Sequence, residues 1–158
     1  MGPGILEDLP DLDAVIAPVG AGSQVSGMCT CIKTAAPEVE VIAVQSAHAP
    51  SVYNSWKSGE LESTESAKTM ADGLATRVAF ELPVSIMRDL LDDFILVTDE
   101  EIEAAIKLYV EKAHTIAEGA GAASLAAGIK IRERLQGKKV ALILSGGNLP
   151  ADMLKNIL

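Results

Sequence analysis

Four short segments of the chain are apolar at nearly every position, and longer amphipathic segments separate them. The apolar segments cover residues 14–19, 39–44, 93–97 and 140–144. Strands that are apolar on both faces are typical of parallel sheets covered by helices on each side. The segments between and after them predict helices over residues 24–35, 49–57, 82–91, 99–114, 119–135 and 151–157. This alternation indicates a three-layer α/β fold with a mainly parallel sheet and helices on both faces.

Two further stretches indicate where one helix begins and how others are joined. Thr98 and Glu101 have the spacing of a capping box, in which each side chain accepts a hydrogen bond from the other residue's backbone amide. A helix is therefore predicted to begin at Asp99. Residues 58–75 are polar and lack a sustained period, which predicts a long connection. Connections of that length inside a domain are commonly functional or mobile.

Composition and charge narrow the class of protein. The chain has 158 residues, of which 49% are hydrophobic, and this size suits a single α/β domain over residues 1–158. Its 13 Lys and Arg against 22 Asp and Glu give a net charge of −9, which opposes binding to a nucleic-acid backbone. The longest uncharged run, residues 14–32, contains proline, glycine and polar residues in its middle, which excludes a membrane-spanning helix. Two cysteines and an acidic beginning unlike a secretory signal predict a cytoplasmic protein.

The sharpest chemical feature is a glycine-rich turn between the first predicted strand and the next helix. Residues 20–24 have the sequence Gly-Ala-Gly-Ser-Gln, and Gly27 follows. Glycines at such a turn allow consecutive backbone amides to point at one spot, and the helix N-terminus adds the positive end of its dipole. The turn therefore favours phosphate binding, although a tight turn without a ligand has the same composition.

Two familiar nucleotide motifs do not fit this turn. A dinucleotide fingerprint needs a third glycine where this chain has Val25, and an acidic residue near the end of the second strand, where this chain has Gln45. A Walker-type loop also fails because no Gly-Lys-Ser/Thr sequence follows. A nucleotide-binding α/β domain is therefore the weaker interpretation.

Two other segments carry candidate chemistry. Ser145 is followed by two glycines and Asn148 at the end of the last predicted strand, where open parallel sheets bind ligands. The alternative for this segment is a simple Gly-Gly turn. Glu118 precedes a run of glycines and alanines that would allow a ligand or another backbone to approach closely. A carboxylate at a helix N-terminus is equally explained as a partner of the helix dipole.

The histidines and cysteines favour structural roles. His114 follows an amphipathic helix, and His48 lies in a loop without a cysteine or carboxylate at metal-ligand spacing. Cys29 and Cys31 fall on opposite sides of a predicted helix, so they cannot chelate a metal together. Both cysteines are predicted to be small buried core residues.

Five motifs together resemble the threonine/serine dehydratases of pyridoxal phosphate fold type II. They occur in the family's order at residues 18–23, 44–46, 71–75, 118–122 and 144–148. The resemblance runs over nearly the whole chain, yet it covers only the C-terminal half or so of the family's catalytic region. It implies that the fold predicted above is part of the large domain of such an enzyme.

The resemblance also implies a set of residues that hold pyridoxal 5'-phosphate. In that set the turn at residues 20–24 holds the phosphate through its amides, Ser145 faces the pyridine nitrogen and Gly73 lies against the cofactor. Glu118 lies close to the ring and its hydroxyl edge. The complete implied set is Gly20, Ala21, Gly22, Ser23, Gln24, Gly73, Glu118 and Ser145.

Three departures from the family pattern affect what is expected. Many relatives have four glycines in the phosphate loop where this chain has Gly-Ala-Gly-Ser, and phosphate binding is expected to survive that change. Some relatives bind a divalent cation through acids where this chain has Gln45 and Ser51, so no such metal site is expected. None of the nine lysines stands in the family's Ser-x-Lys-x-Arg-Gly context, so no catalytic residue is assigned in this chain.

By this resemblance the parent protein eliminates water from threonine or serine and yields a 2-oxo acid and ammonia. The chain itself is expected to be inactive because the lysine that forms the Schiff base and the loop that binds the substrate carboxylate are missing. It is expected to act as part of a homo-oligomer or with a complementary N-terminal half. The alternative is a stand-alone module that binds a phosphate-bearing ligand without catalysis.

Overall fold

A computed structural model describes residues 2–158 and contains one four-stranded sheet whose paired strands are all parallel. The strands are β1 (Ala14–Pro18), β2 (Glu40–Ser46), β3 (Asp93–Val97) and β4 (Val140–Leu142), in the order β3-β2-β1-β4. The helices are α1 (Gly2–Asp8), α2 (Ser23–Ala35), α3 (Ser51–Ser58), α4 (Glu81–Leu90), α5 (Asp99–Leu108), α6 (Gly119–Lys130) and α7 (Ala151–Ile157). The predicted fold class, an α/β protein with helices around a parallel sheet, is confirmed.

Alternate residues of the central strands point into two separate apolar cores. Val15 and Ala17 of β1 pack with residues of α2, α3 and α4, whereas Ile16 packs with residues of α5 and α6. This follows from the two-residue period of a strand, which sends successive side chains to opposite faces. The sheet is therefore the middle layer of three, and its central strands are apolar because neither face meets water.

The predicted capping box is present at the start of α5. The Thr98 hydroxyl accepts from the Glu101 amide at 3.3 Å, and the Glu101 carboxylate accepts from the Thr98 amide at 2.8 Å. Between α3 and α4 the long polar connection contains a 3-10 turn at Asp72–Leu74 and one isolated antiparallel bridge from Ser63 to Val78. The connection is therefore partly ordered by its own contacts.

Several element boundaries differ from the sequence predictions. Helix α1 has no counterpart in the prediction, and β4 ends at Leu142 instead of residue 144. Helix α6 ends at Lys130 instead of residue 135, because Ile131 leaves helical geometry and turns continue to Gly137, which has a φ of 78°. Helix α5 passes into a π-helical turn, Tyr109–Ala113, before the chain reverses at His114 with a φ of 52°.

The predicted core cysteines divide into two environments. Cys29 is completely buried, whereas Cys31 is only partly buried, where Gly2 of α1 packs against it. Burial, followed by the nearby Asp92 carboxylate, raises the pKa of the Cys29 thiol to about 11. The prediction that both cysteines are buried was thus wrong for Cys31. Among the described residues 2–158, no helix is long and apolar enough to cross a membrane.

Candidate functional site

The glycine-rich turn joins the carboxyl end of β1 to the first turn of α2. Gly22 has a φ of 97°, a conformation that residues with a Cβ rarely adopt. Its carbonyl accepts hydrogen bonds from the Ser26 amide at 3.0 Å and the Ser26 hydroxyl at 2.7 Å. Within residues 2–158, the structure records no acceptor for the backbone N–H groups of Ala21 and Gly22. The turn therefore presents amide donors beside the positive end of a helix dipole.

A second segment, the 3-10 turn at Asp72–Leu74, lies directly against this turn. A Cβ placed on Gly20 would lie 2.5 Å from the Gly73 carbonyl oxygen, and a Cβ on Gly73 would lie 2.8 Å from the Cβ of Ala120. Real side chains do not approach so closely. The two backbones and the first turn of α6 therefore meet at a distance that only small residues permit.

Glu118 connects the two other candidate segments. It is the N-cap residue of α6 and is partly buried. Its backbone amide donates to the Gly146 carbonyl at 3.0 Å, and its carboxylate accepts from the backbone amide of Asn148 at 3.1 Å. A Cβ on Gly146 would lie 2.6 Å from the Glu118 carboxylate. Gly146 thus allows the segment that follows β4 to pack against this carboxylate.

These elements enclose one cavity of about 210 Å³. Every residue of the sequence-predicted set lines it. These residues come from the glycine-rich turn, the 3-10 turn, the N-cap of α6 and the segment that follows β4. No lysine is among the residues that line the cavity within the described part of the chain. The lining residues are Pro18, Gly20, Ala21, Gly22, Ser23, Gln24, Gly73, Leu74, Glu118, Ala120 and Ser145.

The site fits a ligand with an anionic end and an aromatic or polar end. Backbone N–H groups at the first turn of α2 suit a phosphate. The hydroxyl of Ser145 is a neutral polar group from the segment that follows β4, and Glu118 adds one carboxylate near the wall formed by Gly73 and Ala120. The donor set is therefore compatible with a ligand that carries a phosphate and a polar ring, such as pyridoxal phosphate.

A second cavity, also of about 210 Å³, shares Gly73, Glu118 and Ala120 with the first. Its other lining residues include Met70, Leu149 and Met153, so one side of it is apolar. The sequence analysis did not find this cavity. Its lining comes from three separate segments, and no local pattern in any of them indicates that they meet.

Gln45 and Ser51 use their polar groups inside the protein. Gln45 is completely buried, and its carbonyl oxygen accepts from the Tyr53 amide at 3.0 Å. The Ser51 hydroxyl donates to the Thr76 carbonyl at 2.9 Å. No group of three or more His, Cys, Asp or Glu residues that could hold a metal ion occurs in residues 2–158.

The two histidines lie outside both cavities. His114 is exposed at the end of the π-helical turn. The Nδ1 atom of His48 lies 3.4 Å from the Asp99 carboxylate, which also accepts from the Met70 amide at 3.0 Å. Asp99 is too far from His48 along the sequence for a local metal-ligand spacing to indicate this contact.

The curated relatives that resemble the chain have names that describe enzymes acting on threonine. An L-threonine ammonia-lyase of Thermotoga maritima is 40% identical over 158 residues, which is all of this chain and 39% of the relative. The catabolic L-threonine dehydratase of Escherichia coli strain K12 is 35% identical over 99% of this chain and 48% of its own length. The chain therefore spans less than half the length of these two relatives.

Solved structures share the fold. The processed form of threonine deaminase isoform 2 from Solanum lycopersicum superposes with a TM-score of 0.93 at 30% identity, over 99% of this chain and 46% of that one. Maize serine racemase superposes with a TM-score of 0.90 at 29% identity, over 98% of this chain and 48% of that one. The family model described as "Pyridoxal-phosphate dependent enzyme" matches residues 1–146. The chain belongs to this family of pyridoxal-phosphate dependent enzymes, as a threonine dehydratase-like domain.

Proposed function

We propose that the chain is the C-terminal, cofactor-holding portion of an enzyme that eliminates water from threonine or serine to give a 2-oxo acid and ammonia. Residues 1–158 form a single α/β domain in this proposal. The observation that carries it is that all eight predicted residues line the same cavity at the carboxyl end of the sheet. The threonine-named relatives and the threonine deaminase fold support the choice of substrate class.

Each wall of the cavity has a distinct task in this proposal. The amides of residues 20–24 bind the cofactor phosphate, since consecutive N–H groups and the dipole of α2 favour an anion there. Gly73 allows the 3-10 turn to pack against Ala120 in the cavity wall, because a Cβ at that position would lie 2.8 Å from the Cβ of Ala120. When bound, pyridoxal phosphate draws electrons from the substrate's α-carbon and so favours loss of the β-hydroxyl.

Ser145 and Glu118 set the polar character of the remaining walls. Ser145 is a neutral hydroxyl facing the pyridine nitrogen in the resemblance, and it would leave that nitrogen largely unprotonated. This state goes with elimination rather than amino-group transfer in the family. The Glu118 carboxylate is held in place by the Asn148 amide, so it is oriented toward the cavity before any ligand arrives.

The proposal assigns the Schiff-base lysine and the substrate-carboxylate loop to polypeptide other than these residues. None of the nine lysines has the family's motif, and none of those described lines the cavity. A cofactor of this kind needs a protein amine to be oriented for reaction. The chain alone is therefore inactive and works in the cytoplasm as a homo-oligomer or with a complementary N-terminal half.

The test is a titration of the purified chain with pyridoxal phosphate, followed by cofactor absorbance and by fluorescence of Trp56, the one tryptophan. Saturable binding that inorganic phosphate displaces, without the absorbance band of a lysine Schiff base and without ammonia release from threonine or serine, is expected. Binding that phosphate does not displace would contradict the assignment of residues 20–24.

The oligomeric state distinguishes the two possible roles of the chain, a partial enzyme domain and a stand-alone binding module. A partial enzyme domain is expected to associate, so light scattering at micromolar concentration should give a dimer or larger species. A stand-alone module that binds a phosphate-bearing ligand has no such need. A monomer that binds pyridoxal phosphate would favour that module.

A further inference from the structure

A chain of hydrogen bonds links the buried interior of the sheet to the phosphate-binding turn. The side-chain amide of Gln45, at the end of β2, donates to the Thr76 hydroxyl at 3.5 Å. The Thr76 hydroxyl in turn donates to the Gly20 carbonyl at 3.1 Å. Because the bond to Gly20 is shorter than the bond from Gln45, it is the stronger of the two hydrogen bonds. Thr76 thus connects the buried side chain of Gln45 to the turn.

The backbone of Thr76 is itself held in place from two sides. Its carbonyl accepts from the Ser51 hydroxyl at 2.9 Å, and Ser51 is completely buried at the start of α3. Its amide donates to the Leu74 carbonyl at 2.8 Å, within the segment that packs against Gly20. Thr76 therefore has little freedom to follow a movement of the turn, and the turn is held to it.

The orientation of one peptide group follows from this bond. In a planar trans peptide the C=O and N–H groups point in opposite directions. The Gly20 carbonyl points at Thr76, which is not among the cavity-lining residues, so the Ala21 N–H points to the opposite side. Gly20 and Ala21 both line the cavity. The bond therefore directs an amide donor toward the place where an anion would bind.

We propose that Thr76 is a positioning residue, whose hydroxyl holds the Gly20–Ala21 peptide so that the Ala21 N–H faces the cavity. The proposal rests on the proposed function for its ligand, a phosphate, but its structural content is independent of that ligand. The Leu74 carbonyl is the competing acceptor for the same proton, at 3.4 Å. The Gly20 carbonyl is the favoured acceptor because it lies closer to the Thr76 hydroxyl, at 3.1 Å. Donation to Leu74 instead would also leave the Gly20 carbonyl without this hydrogen bond.

The test compares Thr76→Val, which has the same shape without the hydroxyl, with Thr76→Ser, which keeps the hydroxyl. Thr30→Val is the matched control, since the Thr30 hydroxyl donates within α2 to the Ser26 carbonyl at 2.9 Å. The first measurement is the affinity for inorganic phosphate by calorimetry. Thr76→Val is expected to weaken it roughly three- to tenfold, whereas Thr76→Ser and Thr30→Val retain it.

The second measurement needs no ligand. Backbone ¹⁵N order parameters for Ala21 and Gly22 are expected to fall from about 0.85 toward 0.6 in Thr76→Val, with those of β1 unchanged. Thr76→Ser should restore them. Unchanged order parameters in Thr76→Val, or an equal loss in Thr76→Ser, would overturn the proposal. If the unaltered chain binds no phosphate but the order parameters change as expected, the positioning role stands and the proposed function fails.

Discussion

The contact between Gly20 and Gly73 gives the sharpest test of the site's construction. In Gly20→Ala, the new Cβ would lie 2.5 Å from the Gly73 carbonyl oxygen, whereas ordinary contacts begin at 3.4 Å. The two backbones must separate by about 0.9 Å to reach that distance. Neither atom is at the end of a flexible side chain, so rotation cannot relieve the contact. The same movement lengthens the 3.1 Å bond from Thr76 to the Gly20 carbonyl.

These two effects set the expected magnitude. Overpacking costs about 1–3 kcal/mol, and loss of this part-buried hydrogen bond costs about 1 kcal/mol more, so Gly20→Ala should destabilise the chain by about 2–4 kcal/mol. Gly27→Ala is the matched control. It lies inside α2, and its Cβ would meet nothing within 4 Å. Removing a helical glycine there should stabilise the chain by about 0.5–1 kcal/mol.

Thermal unfolding followed by circular dichroism measures the difference. For a chain of this size, 1 kcal/mol corresponds to about 2–4 °C in Tm, so a difference of about 2.5–5 kcal/mol between the two alanine variants should appear as roughly 5–20 °C. Phosphate affinity should fall in Gly20→Ala and stay unchanged in Gly27→Ala. Equal melting temperatures would refute the reasoning, because the close approach of the two backbones would then not constrain the fold.

Three other outcomes follow from single contacts. Gly146→Ala places a Cβ 2.6 Å from the Glu118 carboxylate, a side chain that can rotate, so calorimetry should show weaker pyridoxal phosphate binding with a smaller loss of stability than for a backbone clash. Because burial raises the pKa of Cys29 to about 11, about 0.1% of it is thiolate at pH 8, and a disulfide reagent should label one thiol quickly and the second only after unfolding. Hydrogen bonds from cationic side chains, Lys138 first, hold the pKa of Glu40 below its ordinary value of 4.5. Its ionised form therefore stabilises the fold above that pH and ceases to do so as the pH falls through the lowered pKa, so urea titrations should show a weaker acid dependence for Glu40→Gln.

Three of the segments that line the cavity were predictable because their chemistry is local, whereas Gly73 was identified only through the family resemblance. The turn at residues 20–24, the carboxylate at Glu118 and the hydroxyl at Ser145 each stand next to glycines that mark a close approach of backbone. The carboxyl ends of parallel strands meet at one edge of a sheet, so the fold class alone predicts that two of these segments come together. The four strands were found for a similar reason, since burial on both faces leaves a continuous apolar run.

What escaped prediction depends on contacts between distant segments. Thr76 lies in a polar connection without a periodic pattern, and its link to Gly20 spans 56 positions along the chain. Gln45 has the sequence context of an ordinary strand end, yet it is completely buried, and its side chain both donates and accepts a hydrogen bond. Helix α6 ends early because Ile131 leaves helical geometry, although the residues after it keep a helical pattern. Such features follow from packing, which a local sequence pattern does not contain.

The altered phosphate loop is explained by which of its positions require glycine. Gly20 has no space for a Cβ, because the Gly73 carbonyl occupies it. Gly22 has a φ of 97°, where a Cβ is strained whatever the space. Ala21 and Ser23 are exposed, and neither has a positive φ. The two substitutions relative to a four-glycine loop therefore fall at the two positions where a side chain costs the backbone nothing. Because the backbone of this turn requires glycine only at Gly20 and Gly22, the Gly-Ala-Gly-Ser sequence is compatible with the phosphate binding that we propose.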